Sequence, residues 1–105
     1  MSSKNGKDGK VGIRLLTLND CDYCNWLKNE LDAEGIIYDN IDADKFSDFV
    51  NDIKHKFKTE SYPIVFIDLG IKVITIVPET KSEISDTLLT FNTIPQLIGI
   101  IKQYI

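Results

Sequence analysis

Apolar residues in this chain switch between two periods along its length, and that switching restricts the fold more than any composition figure. "GIRLLTL" is an apolar run of strand length that ends at the turn-like "ND". From Cys21 the spacing becomes helical, with Cys24, Leu27 and Leu31 on one face and Gly35 as the stop. "IIYDNI" reads as a second strand. "DADKFSDFVNDIKHKF" then places Phe46, Phe49, Val50, Ile53 and Phe57 at helical spacing. "YPIVFID" is a third strand opening with proline, Asp68–Gly70 makes a turn, and "IKVITIV" returns as the antiparallel partner. "PETKSEISDT" is polar and reads as a loop, with "LLTF" a candidate for a short extra strand. The close, "NTIPQLIGIIKQYI", is a helix capped by Asn92, with Pro95 near its first turn. Ile94, Leu97, Ile98, Ile101 and Ile105 form its apolar face. The order β-α-β-α-β-β-α predicts a small α/β domain: a four-stranded mixed sheet flanked by helices.

A chain of 105 residues suffices for one such domain. Residues 1–10 are polar and read as a disordered tail, leaving 11–105 as the domain, with an insertion around 78–92. The formal net charge of -4 argues against nucleic acid as a partner, because binding it usually needs a basic field. "MSSKNGKDGK" has no apolar stretch, so no signal peptide is expected, and no run is long enough to span a membrane. A cytoplasmic, reducing compartment is therefore expected, and a monomer within it.

The chain has 2 cysteines, Cys21 and Cys24, at the junction of the first strand and first helix. They read as a structural disulfide, part of a metal site, or a reactive thiol pair. A reducing compartment disfavours the first. The second lacks ligands, since only His55 supplements the cysteines, and Asp48, Asp52 and His55 share a polar helix face. For the third, backbone N–H groups and the helix dipole converge on Cys21 and favour its thiolate. Cys24, one turn on, can reach back to resolve a mixed disulfide.

"CDYC" followed by a helix, then "GIIYDNIDAD" and "YPIVFID", resembles the glutaredoxin family of thioredoxin-fold proteins. That family's usual active site is Cys-Pro-Tyr-Cys, and its third strand opens with a Thr/Val-Pro pair. The resemblance runs from Gly12 to about Val77. It implies a dithiol oxidoreductase that reduces protein disulfides or glutathione mixed disulfides, with glutathione as co-substrate and ribonucleotide reductase a conceivable protein substrate. It further implies a cis Tyr62–Pro63 bond facing the cysteines, with the Tyr62 backbone pairing with an extended thiol substrate. Tyr23 and Trp26 could line the groove.

Three departures from the family pattern stand out. Asp22 replaces the usual proline, Tyr62 replaces a smaller residue, and the insertion replaces a Gly-Gly pair before the last helix. The family holds the glutamyl end of glutathione at that turn, where Asn92 or Thr93 is the nearest replacement here. A basic side chain usually meets the glycyl carboxylate; among Lys54, Lys56 and Lys58, Lys58 is the choice. Two alternatives follow from the same resemblance. One is a thioredoxin-like reductant served by a reductase, favoured by the missing Gly-Gly pair. The other is a dimer bridged by an iron–sulfur cluster held by Cys21 of two subunits and two glutathiones.

Overall fold

The computed structural model describes residues 11–105; the expected tail, residues 1–10, lies outside them. The elements run β1 (Gly12–Thr17), α1 (Asp22–Ala33), β2 (Asp39–Asp42), α2 (Ser47–Phe57), β3 (Ile64–Asp68), β4 (Val73–Val77), β5 (Leu88–Thr90) and α3 (Ile94–Lys102). The strands form one sheet in the order β2-β1-β3-β4-β5. β1 pairs with β2 in parallel, β3 runs antiparallel to β1 and to β4, and β5 is parallel to β4. This is a thioredoxin-like α/β fold.

The sheet has five strands, one more than the four expected. The addition is the "LLTF" segment inside the insertion. Its flanking backbone satisfies the outer edge of β4: Thr75 N donates to Thr87 O at 2.8 Å, and Phe91 N donates to Val77 O at 3.2 Å. Backbone polar groups along a sheet edge need partners, and the insertion supplies them.

Alternation along the strands divides the molecule into two cores. Ile13, Leu15, Val65, Ile67, Ile74 and Ile76 point to one face, where Leu27 and Leu31 of α1 and Leu97, Ile98 and Ile101 of α3 bury them. Leu16, Ile64, Phe66 and Val77 point to the other, under Val50 and Ile53 of α2. The predicted helical faces of α1 and α3 hold, except that Ile105 lies beyond α3 and is exposed. In α2 the apolar face is narrower than expected, for Phe46 and Phe49 remain exposed.

Helix ends explain where the elements stop. Gly35, at φ 71°, ends α1. Gly35 N donates to Asp32 O at 3.1 Å and Ile36 N to Leu31 O at 2.9 Å, the paired bonds of a Schellman turn. Ile36 is thereby committed to the cap, so β2 starts at Asp39 and not at Ile36. α3 is capped by Thr93 rather than Asn92: the Thr93 hydroxyl accepts from Gln96 N at 3.2 Å, and Gln96 Oε1 accepts from Asn92 N at 2.6 Å. Among the described residues, no helix is long and apolar enough to cross a membrane.

Candidate active site

The strand register gathers several functional candidates at one end of the sheet. Leu16 pairs with Ile64, so the next residues outward are Thr17 on β1 and Pro63 before β3. Val77 pairs with Thr90, so β4 and β5 finish at the same end, and α3 starts there. Cys21 follows the short turn after Thr17. The Tyr62–Pro63 bond is cis. Thus the cysteine loop, the cis proline and the start of α3 lie at one edge of the molecule, and the bond the resemblance implied to be cis is cis.

Cys21 is the N-cap of α1, and its Sγ accepts from Cys24 N at 3.1 Å. An oxygen-bearing side chain normally fills this position. Here sulfur does so, and the helix dipole that rewards negative charge at this point acts on a thiolate. The two cysteines are joined as a disulfide, with Cα atoms 5.1 Å apart. Their surroundings differ sharply. Cys21 is half-buried at the surface, whereas Cys24 is 0% exposed on the apolar face of α1.

Support for the loop comes from the neighbouring strand. Thr17 Oγ1 donates to Asn40 Oδ1 at 2.7 Å, Ala43 N donates to Thr17 O at 2.8 Å, and Asn19 Nδ2 reaches Asp44 Oδ2 at 3.5 Å. These contacts fasten the β1–α1 turn to the β2–α2 turn. Tyr23 and Trp26 are 60% and 42% exposed, and their rings stack with centroids 6.4 Å apart. They form an aromatic surface on the helix that carries the cysteines.

Around the cis proline, Pro63 is buried and Tyr62 half-buried, the latter packing against the α2-side core. Lys54 Nζ sits 5.5 Å from the Tyr62 ring centroid, in cation–π range, and 3.9 Å from Glu60 Oε1. Lys58 is placed differently. It is the C-cap of α2 in a left-handed conformation, φ 52°, and its carbonyl accepts from Lys81 N at 3.3 Å. Its side chain borders an open cavity of about 490 Å³ that it shares with His55, Lys54, Lys81, Asn51, Glu60 and Glu79. His55 therefore stands among lysines. The sequence did carry a sign of Lys54: it lies four residues after Val50 and three before Phe57, within the buried stripe of α2.

The insertion is bound to the approach to Tyr62. Glu79 Oε1 accepts from Thr59 Oγ1 at 3.3 Å and from Glu60 N at 3.2 Å, and Thr80 Oγ1 donates to Phe57 O. Sequence reasoning had no means of finding these partners, because they join segments far apart in the chain. At the start of α3, Asn92 N is engaged by the Gln96 side chain and the Thr93 hydroxyl by Gln96 N.

Comparison with curated proteins finds none that matches the chain. A family model, glutaredoxin, matches residues 13–70. That span runs from β1 through α1, β2, α2 and β3 to the turn after it, and contains the Cys-x-x-Cys pair and the cis proline. With the N-capping cysteine, the buried second cysteine and the thioredoxin-like sheet, the chain is a thiol–disulfide oxidoreductase by family, and it belongs to the glutaredoxins.

Proposed function

We propose that the protein reduces protein disulfides and glutathione mixed disulfides, with Cys21 as nucleophile, Cys24 as resolving thiol and glutathione as co-substrate. The observation that carries this is the asymmetry of the pair: a half-buried sulfur that caps the helix and a fully buried one behind it. In the reduced form the Cys24 N–H and the helix dipole face the Cys21 thiolate, which is the species that attacks. Cys21 Sγ bonds to one substrate sulfur, the substrate S–S bond breaks, and the departing thiolate takes a proton from solvent. Cys24 then attacks Cys21 Sγ, releasing the second substrate thiolate and forming the disulfide present in the structure. Two glutathione thiols restore the dithiol and leave as glutathione disulfide, so two electrons pass in each turn.

Recognition of glutathione would fall to the Tyr62 backbone beside Pro63, to Tyr23, and to Asn92 and Thr93 at the α3 start, with Lys58 or Lys54 meeting a carboxylate. Lys54 is the better supported of the two lysines, because it already lies over Tyr62. The Asn92 N–H is held by Gln96, which favours weaker glutathione binding than the Gly-Gly turn of the family gives. The same observation favours the reductase-served reading as runner-up.

Single-turnover reduction of a glutathione mixed disulfide separates the two thiol roles. Cys24→Ser keeps this activity and traps protein substrates as mixed disulfides; Cys21→Ser loses it. Equal, complete loss in both variants overturns the assignment. Turnover with glutathione and its reductase, set against thioredoxin reductase, then identifies the physiological reductant class.

A further inference from the structure

The face of the sheet covered by α2 is not covered to its end. α2 packs over the rung formed by Leu16, Ile64 and Val77, nearest the cysteine end. Two residues further along each strand, at the rung of Arg14, Phe66 and Thr75, a cavity of about 400 Å³ opens between the helix and the sheet. Two residues of strand are about 6.6 Å, so the cavity is displaced toward the end opposite the cysteines. Its volume falls in the range of small-molecule sites, roughly 300–1,000 Å³.

The walls are apolar and partly uncovered. Phe49 of α2 and Val73 of β4 are 39% and 43% exposed, and the Phe49 and Phe66 rings lie 6.3 Å apart, tilted at 53°. The charges are of one sign. Arg14 from β1 and Lys56 from α2 line the cavity, both exposed, and Lys56 Nζ is held 5.3 Å from the Phe57 ring centroid. Among the described residues no carboxylate lines it, although the chain carries 16 acidic residues against 12 basic ones. Asp39, the register neighbour of Arg14 on β2, stays outside the lining. An apolar slot whose charged lining, among the described residues, is Arg14 and Lys56 selects one kind of occupant by charge complementarity.

We propose that this groove binds a small amphipathic anion: an aromatic or acyl body laid between Phe49 and Phe66, and one anionic head between Arg14 and Lys56. The site is separate from the dithiol and does not depend on the glutathione reading. The body gains by leaving water, and the head gains a charge-assisted hydrogen bond that a neutral head forgoes.

The test uses the full oxidised chain and 1-anilinonaphthalene-8-sulfonate, an aromatic sulfonate whose fluorescence rises in apolar surroundings. Decanoate and decanol serve as competitors that differ only in the head. Saturable one-to-one binding is expected, with decanoate displacing the probe roughly tenfold better than decanol, the factor a charged hydrogen bond supplies. The double variant Arg14→Gln, Lys56→Gln should weaken probe and decanoate about tenfold and leave decanol unchanged, while Phe49→Ser weakens all three. Amide shifts on titration should cluster at Phe49, Phe66 and Val73. Equal displacement by decanoate and decanol overturns the proposal, as do shifts centred on Cys21 and Tyr62 or the absence of saturable binding. Self-association that excludes the probe also overturns it, because a second copy then fills the groove.

Discussion

Asp22 stands at the first helical position of α1, exposed and one residue after Cys21. Its charge suits the helix dipole and opposes the neighbouring thiolate. The two effects fall on different forms of the protein: helix stability gains in both redox states, whereas the thiolate exists only in the reduced one. Asp22 therefore tilts the couple toward the disulfide and makes the dithiol a stronger reductant. A thiolate penalty of about 1.4 kcal/mol corresponds to roughly 30 mV for a two-electron couple, and solvent screening trims that. Asp22→Pro should raise the potential by on the order of 10–30 mV, measured against a glutathione redox buffer. A lower potential in the variant contradicts the argument. Proline is well tolerated at this position, so the variant should fold. The positions of the two cysteines were legible, since a strand-to-helix junction fixes which thiol caps the helix and which lies on its buried face. The place of Lys58 was not. Helical spacing sets Lys54 apart from Lys56 and Lys58 by placing it beside the buried stripe of α2, but only the direction of α2 against β3 puts it over Tyr62.

Two elements carry tests of how they are anchored. Thr93 caps α3 through Gln96 N, and the pair Thr93 and Gln96 has the T-x-x-Q spacing of a capping box. That spacing is the mark in the sequence that sets Thr93 apart from Asn92 as the cap. Thr93→Ala should cost about 1 kcal/mol of stability by urea unfolding. It should also loosen the end of the groove where glutathione is proposed to lie, which a glutathione titration reads separately. Tyr38 joins the segment after α1 back onto that helix. Burial raises its pKa, and the Asp32 carboxylate adds to this by charge and as hydrogen-bond acceptor. A phenol raised in the folded state contributes stability that is complete below its unfolded value near 10, and that is lost as pH rises through the higher folded value. Tyr38→Phe should therefore lose less stability than the parent between about pH 9 and 11, compared by urea midpoints. Equal alkaline losses in the two proteins contradict this.

For the molecule as a whole, the β-α-β-α-β frame was legible because each period change is local and each apolar face is complete within its own segment. What the insertion does was not legible, since its bonds to Phe57, Lys58, Thr59 and Glu60 depend on the finished fold. Replacing residues 78–92 with a short Gly-Gly turn should tighten glutathione binding, because glycine permits φ > 0 and close backbone approach. Unchanged affinity would show that the family's turn is dispensable here. The same replacement strips β5 from β4, and this changes how the protein meets other copies of itself. In the intact sheet the outer strands are β2, four residues long with Asp39 and Asp42 on it, and β5, only three residues long. Short or charged borders give a neighbouring chain little to zip onto. Without the insertion the border becomes "VITIV", an uncharged β-branched run with its backbone groups unpaired, the composition from which fibrils grow. The shortened protein should scatter light and bind thioflavin at concentrations where the parent stays clear, which makes the insertion a guard on solubility.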